Sequence, residues 1–536
     1  MTVVYDTVIR NGTICDGTGA PPTQGDLAIQ GDAIAAIGRF DGHGNLELDA
    51  TGRVVAPGFI NMLSWATESL VADGRSQSDI HQGVTLEVFG EGSSLGPLNP
   101  EMKANLRERQ SEVNYDIDWT SLDEGLQWLV RRGISCNVAS FVGATTLRIH
   151  EVGYVNRPPE SRELDHMRGL MREAMQDGGL GVGSSLIYAP AQFAGTDELT
   201  ALSEVAAEYG GMYISHIRNE SKQLLEALEE LISISERSGA PAEVWHFKAS
   251  GPSNWPKLDQ AIERIEAARR SGQRITADVY TYHASSTGLD STMPGWVQEG
   301  GHRAWVARLR DPSVRKRLRE ELSIAATDNE FLSAEKILLV GFRNPSLRNL
   351  TGKTVAEVAA VRGTSVEDTI MDLVVEDDSR VQCVFFTMSE DNVRKAVALP
   401  WVAFCSDAGS LAAEGIFLKT STHPRAYGSF ARVLGKYVRE EGAVRLEEAV
   451  RRLSSFPAEN LGLDRRGRLS EGFYADVVVF DPASIRDHAT YDAPHQYATG
   501  VQHVFVNGVQ VLEDGQHTDA RPGRVVRGQG YTRGPR

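Results

Sequence analysis

Gly-Met-Tyr-Ile-Ser-His-Ile-Arg, residues 211–218, and Ala-Glu-Val-Trp-His-Phe-Lys, residues 242–248, are two apolar stretches that each predict a β-strand ending in a histidine. His216 and His246 are 30 residues apart, about the length of one βαβ unit. Between them, residues 224–232 carry leucine and isoleucine at helical spacing. Both histidines are therefore predicted at the carboxyl ends of neighbouring parallel strands, where ligands and catalytic groups collect in α/β folds.

The same alternation of apolar strand and amphipathic helix continues on both sides of these two units. Eight such strands over about 350 residues predict a metal-dependent (β/α)8 TIM barrel with insertions, in the α/β class. An open doubly wound sheet is the alternative, but no glycine-rich phosphate-binding fingerprint follows the first strand. The predicted strands are 54–63, 84–89, 135–142, 181–186, 212–216, 243–247, 274–280 and 401–407.

Both ends of the chain are predicted to be rich in short strands, because apolar and polar residues alternate there between tight-turn residues. The alternating stretches are 5–11, 26–30, 33–37, 475–480 and 500–509. We expect residues 1–56 and 469–536 to form a small β-sandwich beside a catalytic barrel of residues 57–468. The long interval before the last barrel strand predicts an inserted subdomain or lid at 287–375.

Length, net charge, apolar runs and cysteine content limit the classes of protein to which this chain can belong. A chain of 536 residues is too long for one hydrophobic core. Its net charge of −17 at pH 7 repels phosphate backbones and anionic membranes, so we expect neither a nucleic-acid nor a membrane partner. No apolar run reaches the ~20 residues of a membrane span, and no signal peptide is evident at residues 1–10. Four scattered cysteines without a CxxC pair indicate a reducing cytoplasm.

Eight short segments along the chain form a specific set, although each alone is a weak signal. They are Val-Ala-Pro-Gly-Phe-Ile-Asn (55–61), Gln-Gly-Val-Thr (82–85), Ser-His-Ile-Arg-Asn-Glu (215–220), Trp-His-Phe-Lys-Ala-Ser-Gly (245–251), Asp-Val-Tyr-Thr-Tyr (278–282), Ser-Asp-Ala-Gly (406–409), His-Pro-Arg-Ala-Tyr-Gly (423–428) and Gly-Phe-Tyr-Ala-Asp-Val-Val-Val-Phe-Asp (472–481). Together they resemble the N-acyl-D-amino-acid deacylase (D-aminoacylase) family of the amidohydrolase superfamily, essentially from end to end. The resemblance implies a metal-bearing barrel that carries a β-sandwich made from both termini.

The chain departs from this family at two places that matter for metal binding. The family's first barrel strand opens with Asp-x-His-x-His, whereas residues 61–65 read Asn-Met-Leu-Ser-Trp, so Leu63 and Trp65 replace both histidines. Neither side chain binds a hard or borderline metal. The family's bridging cysteine is also missing, because Gly92 stands at its place. A two-metal site with the family's ligands is therefore excluded.

The remaining candidate ligands predict one divalent metal ion, most simply zinc. His216 and His246 match family ligands, and Glu91 lies beside the lost cysteine. Two histidines and one glutamate with an open fourth position form a known catalytic zinc set. Glu68 and Glu87 are weaker candidates, and Glu91 as a simple salt-bridge partner in the pocket is the alternative.

The resemblance also assigns roles in amide hydrolysis, which needs a polarised carbonyl, an activated water and a proton for the leaving amine. Zinc supplies the first two, and Asp407 is expected to be the catalytic general acid/base. Arg425 matches the family arginine that holds the substrate carboxylate, which a guanidinium fork suits. Lys248, Tyr282 and Ser286 match substrate-binding positions near the same group. The alternatives are a turn-capping Asp407, a solvated Lys248 and a core Tyr282.

Three functions follow as hypotheses. The first is a zinc-dependent amidohydrolase that cleaves a linear amide, deacylating an N-acyl-D-amino acid or a related dipeptide with a free carboxylate. The second is a cyclic amide or carbamate hydrolase, like a hydantoinase or dihydropyrimidinase. The third is a metal-free barrel that serves as a binding protein. The sequence leaves the acyl group, the amino-acid side chain, the chirality and the oligomeric state open.

Overall fold

The structure, a computed structural model, describes residues 3–110, 112–328 and 333–534, without the side chains of 325–328. The strands are β1 Val4–Ile14, β2 Thr23–Gln30, β3 Ala33–Gly38, β4 His43–Asp49, β5 Val54–Pro57, β6 Phe59–Asn61, β7 Val84–Phe89, β8 Asn137–Ser140, β9 Val142–Gly143, β10 Gly181–Ser185, β11 Met212–His216, β12 Ala242–Val244, β13 Ile275–Val279, β14 Ser285–Gly288, β15 Ile337–Gly341, β16 Gln382–Phe385, β17 Val402–Phe404, β18 Val477–Phe480, β19 Val501–Val506, β20 Val509–Glu513 and β21 Gln516–His517.

Helices alternate with the central strands, as the apolar periodicity predicts. They are α1 Thr67–Ala72, α2 Gln77–Ile80, α3 Pro100–Arg109, α4 Leu122–Arg131, α5 Ala144–Glu151, α6 Ser161–Gln176, α7 Thr196–Glu208, α8 Leu224–Ser238, α9 Lys257–Arg270, α10 Gly295–Gln298, α11 Gly301–Leu309, α12 Pro312–Asp328, α13 Val355–Arg362, α14 Val366–Asp377, α15 Glu390–Ala398, α16 Arg425–Arg432, α17 Leu446–Leu453 and α18 Ser455–Asn460. Among the described residues, no helix is both long and apolar enough to span a membrane.

Parallel strands form the central barrel in the order β6, β7, β8, β9, β10, β11, β12, β13 and β17. β8 and β9 are one strand interrupted at Phe141, whose backbone N–H donates to Phe89 O at 2.9 Å. The first and last strands meet beyond their carboxyl ends, where Asp407 N–H donates to Leu63 O at 2.9 Å. The predicted (β/α)8 barrel is confirmed, and the open doubly wound sheet is wrong.

The strand predicted at 54–63 is two strands, and this difference joins the two parts of the fold. β5 pairs with β1 and β18 in the terminal sheet, whereas β6 begins the barrel. The break falls at Pro57 and Gly58, because proline has no N–H to donate and Gly58 N–H turns to donate to Asp476 O at 2.8 Å. A Cβ at Gly58 would lie 2.1 Å from Thr85 Oγ1, so only glycine fits this crossing.

Strands from both termini form one nine-stranded sheet, β1–β5 with β18–β21. The sheet curls on itself, since Ile34 in β3 exchanges backbone hydrogen bonds with Phe473 and Gly472 just before β18. Apolar side chains from both ends fill its interior, as predicted for the small β-sandwich. β4 escapes prediction because its residues alternate between exposed and half-buried, with no fully buried face.

A separate unit is inserted between β13 and β17, above the carboxyl ends of the barrel strands. β14, β15 and β16 form its antiparallel sheet, and α10–α14 pack around a core of their own. The inserted subdomain is thus present, while the bounds proposed for the three units remain predictions. The C-terminal segment runs beneath the barrel, where Val526 N–H donates to Val138 O and Gly528 N–H to Gly178 O, both at 2.8 Å.

We predict that a buried ion pair between α5 and α7 holds this side of the barrel. Arg148 Nη1 lies 2.6 Å from Glu198 Oε2, and the two side chains are 1% and 3% exposed. Glu198→Gln should lower the free energy of unfolding by about 3–5 kcal/mol, because an unpaired guanidinium stays buried. Glu266→Gln, which breaks an exposed ion pair with Arg270, is the control. This substitution should change the free energy of unfolding by less than about 1 kcal/mol. Urea denaturation measures both, and equal effects would contradict the prediction.

Candidate metal centre

Three side chains from β7, β11 and β12 meet at the carboxyl end of the barrel, where β11 and β12 are neighbours and β7 lies further round the wall. Glu91 lies two residues beyond β7, His216 is the last residue of β11, and His246 lies two residues beyond β12. All three are almost completely buried. His246 has a left-handed backbone, with φ +41°, and its N–H donates to Asp278 Oδ1 at 2.7 Å. That bond compensates a conformation that is uncommon outside glycine, and it directs the imidazole toward the other two side chains.

The two imidazoles converge on one carboxylate oxygen. His216 Nδ1 is 2.9 Å and His246 Nε2 is 3.3 Å from Glu91 Oε1. The ring centres are 4.4 Å apart and nearly perpendicular. One ligand atom from each of the three residues lies within 4.8 Å of the others. This donor set and spacing fit a single divalent cation held by two nitrogens and one oxygen.

Charge in the cluster also fits a cation. Burial opposes ionisation of Glu91, but hydrogen bonds from His216 and His246 outweigh it and hold the pKa of its carboxyl well below the ordinary value. Burial and the charge of Lys248 oppose protonation of His246, yet Asp407 and Glu220 outweigh them and raise its pKa to about 10. The surrounding carboxylates therefore favour positive charge at this point, and a bound metal would replace the imidazolium proton.

Glu220 completes the cluster, and sequence reasoning did not single it out. Its Oε1 lies 3.1 Å from His246 Nδ1 and 2.6 Å from Lys248 Nζ. A carboxylate at the outer nitrogen of a metal-binding histidine fixes the orientation of the ring. The sequence feature that could have identified Glu220 is its position four residues after His216, in the loop that follows the predicted strand. Lys248 is paired with this carboxylate, and its assignment as a substrate-binding residue remains a prediction.

The weaker ligand candidates lie elsewhere. Glu87 is buried in the barrel wall, where its Oε2 accepts a hydrogen bond from Ser64 Oγ at 3.0 Å. Burial, reinforced by the charge of Asp79, raises its pKa to about 8, so it is held there as a neutral acid. Glu68 is exposed on α1. Neither belongs to the cluster found among the described residues.

Asp407 lies between an indole and a guanidinium. Trp65 Nε1 donates to its Oδ1 at 3.1 Å, and Arg425 Nη1 lies 2.6 Å from its Oδ2. Its backbone φ is +49°, stabilised by the hydrogen bond to Leu63 that joins the ends of the barrel. Leu63 itself is fully buried. Leu63 and Trp65 stand where the family has its two first-strand histidines. Leu63 packs in the core, whereas Trp65 donates a hydrogen bond to Asp407, the candidate proton carrier.

These residues lie in a chain with clear relatives. The D-aminoacylase of Alcaligenes xylosoxydans xylosoxydans is 31% identical over 527 residues, which cover 97% of each chain. The protein belongs to the D-aminoacylase family. A profile described as the amidohydrolase family matches residues 351–512.

Two solved structures share the fold over nearly the whole chain. A crystal structure of D-aminoacylase superposes with a TM-score of 0.81 at 30% identity, covering 98% of this chain and 100% of that one. N-acyl-D-glutamate deacylase from Bordetella bronchiseptica, complexed with zinc and a phosphonate inhibitor, gives 0.82 at 30% identity with the same coverage. The family predicted from the sequence is confirmed.

Arg425 has the geometry of an anion-binding group in this D-aminoacylase relative. Its Cζ lies 4.6 Å from the centre of the Tyr280 ring, and Nη2 donates to Ser286 O at 3.2 Å. Its backbone N–H donates to His423 Nδ1 at 2.9 Å, so His423 positions it. Its Nε has no hydrogen-bond partner among the described residues, although the side chain is buried. A buried guanidinium with a free donor is a site for an incoming acceptor.

The two other predicted substrate-binding side chains are already engaged. Ser286 contacts Arg425 through its backbone carbonyl, while its hydroxyl donates to Cys383 O at 2.8 Å. Tyr282 donates its hydroxyl to Asp487 Oδ2 at 3.0 Å, and its ring lies under the Arg432 guanidinium. Their assignment as substrate ligands therefore remains a prediction.

Proposed function

We propose that this protein is a zinc-dependent amidohydrolase that removes the acyl group from an N-acyl-D-amino acid, with one metal held by Glu91, His216 and His246. The observation that carries the proposal is the convergence of both imidazoles on the buried Glu91 carboxylate. The names of the relatives support the choice of substrate class, since they include deacylases of D-glutamate and D-aspartate derivatives.

Zinc bound at such a site supplies Lewis acidity for the amide carbonyl and lowers the pKa of a water molecule. The protein supplies proton transfer. Asp407 accepts the proton of the attacking water and delivers it to the departing amine nitrogen, which a positioned carboxylate does efficiently. Trp65 holds one oxygen of Asp407 in place during both transfers.

Arg425 orients the substrate by binding its free carboxylate. In the free protein its guanidinium lies against Asp407. A substrate carboxylate competes for the same fork, so binding loosens the grip on Asp407 and frees that carboxylate for proton transfer. Such coupling ties catalysis to substrates with a carboxylate. A neutral cyclic amide offers no such group, which favours a linear N-acyl amino acid over a hydantoin.

Purified protein prepared without chelator should contain about one zinc per chain and hydrolyse N-acetyl-D-amino acids in preference to their L enantiomers and to hydantoin. Elemental analysis and detection of the released amine measure the two properties. Hydrolysis of hydantoin without hydrolysis of any N-acetyl amino acid would favour the cyclic amidase. Absence of both metal and activity would favour a binding protein.

Glu91→Gln should reduce metal affinity by more than about 10–100-fold, the typical cost of losing a group that only supports a ligand, because the amide keeps the size of the side chain but loses the anionic ligand. Metal content after dialysis against a mild chelator is the measurement. Glu87→Gln is the matched control, since Glu87 is a buried neutral acid in the same part of the barrel. Retention of metal by Glu91→Gln equal to wild type would mean that Glu91 is only a pocket carboxylate.

Trp65→Phe should lower kcat about 10-fold and leave KM within about twofold, because it removes one hydrogen bond to a charged group and keeps the aromatic ring. Asp407→Asn sets the scale and should lower kcat about 10²–10⁴-fold with metal retained. Steady-state kinetics and metal analysis measure both variants. An unchanged kcat in Trp65→Phe would show that Asp407 needs no support from the indole.

A further inference from the structure

Arg380 of the inserted subdomain stands beside the candidate metal centre and is not used by the mechanism above. It lies between α14 and β16. Its Cζ is 4.6 Å from the centre of the Tyr188 ring, and that ring is 5.4 Å from the ring of His216. One aromatic side chain therefore separates this guanidinium from a candidate metal ligand.

The guanidinium is held through two of its nitrogens and remains partly exposed to solvent. Its Nε donates to Asp290 Oδ1 at 2.8 Å, and its Nη2 donates to Thr287 Oγ1 at 3.2 Å. The Thr287 hydroxyl also lies 2.7 Å from the Tyr188 hydroxyl. The Arg380 side chain is 43% exposed, whereas that of Asp290 is 7% exposed. The orientation of the arginine is thus set before any ligand arrives, which lowers the entropy that binding must overcome.

Its role is not explained by stability or by the substrate's own carboxylate. An ion pair with one half-exposed partner contributes little to folding. The carboxylate of the amino acid is assigned to Arg425, and Lys248 is paired with Glu220. Arg380 is therefore an additional cation whose partly exposed guanidinium suits the planar, two-oxygen geometry of a carboxylate.

We propose that Arg380 binds a second carboxylate of the substrate, which makes the preferred substrate a dianionic N-acyl-D-amino acid. The inference rests on the proposed deacylase function and specifies its substrate class. The second carboxylate belongs either to an acidic amino-acid side chain or to an acidic acyl group. The chemistry that Arg380 recognises is the same in both cases, and the substrates distinguish them.

The test compares kcat/KM for N-acetyl-D-glutamate, N-succinyl-D-glutamine and the monoanionic N-acetyl-D-glutamine. Wild type should prefer one of the two dianions over N-acetyl-D-glutamine by about tenfold or more, the range of a charge-assisted hydrogen bond. Preference for glutamate assigns the second carboxylate to the side chain, and preference for the succinyl compound assigns it to the acyl group. Arg380→Met should abolish the preference in kcat/KM for the dianionic substrate. Arg380→Lys should keep part of that preference, since lysine retains the charge without the guanidinium fork.

Arg362→Met is the matched control, because Arg362 is an ion-paired arginine of the same subdomain that bonds Glu376. Arg362→Met should leave the kcat/KM ratio of the dianionic to the monoanionic substrate unchanged. A wild-type enzyme that hydrolyses all three compounds equally, or prefers the glutamine derivative, overturns the inference while the deacylase function stands. An Arg380→Met variant that loses activity but keeps the wild-type ratio also overturns it, since the role is then structural. No turnover of any compound by the metal-loaded wild type contradicts the proposed function itself.

Discussion

The contact of the buried Glu91 carboxylate with His216 and His246 is the constraint on which the site depends. A carboxylate inside a barrel is stable only when cations or donors compensate its charge. Here the compensation comes from two imidazoles on different strands, so the strands must align for the charges to meet. The same alignment creates the convergent donor set that a divalent cation needs.

The absence of the family's first-strand histidines is accommodated in two different ways. Leu63 points into the core and adds apolar contacts. Trp65 remains at the mouth of the barrel, 44% exposed, and its indole donates to Asp407. The hydrogen bond from Trp65 thus helps to hold Asp407 at the end of the barrel, beside the cluster of Glu91, His216 and His246.

Three cations near the candidate metal centre are each paired with a carboxylate. Lys248 pairs with Glu220, Arg425 with Asp407, and Arg380 with Asp290. Such pairing lowers the cost of placing cations near a metal, and it also selects ligands. A substrate carboxylate must compete with Asp407 for Arg425, which favours anionic amides over neutral molecules.

The sequence by itself determined the barrel and the two strand-end histidines. β7 and β11 lie where their apolar runs predict, because local burial decides which residues form strands. Glu91 could also be predicted from the sequence, since it follows β7 and lies next to Gly92, which stands at the place of the lost cysteine ligand. Only the tertiary structure decided the partners of Glu220, Asp407 and Arg380. Their contacts join residues as far apart as Trp65 and Asp407, and distances of that kind exist only after the barrel closes and the inserted subdomain packs above it.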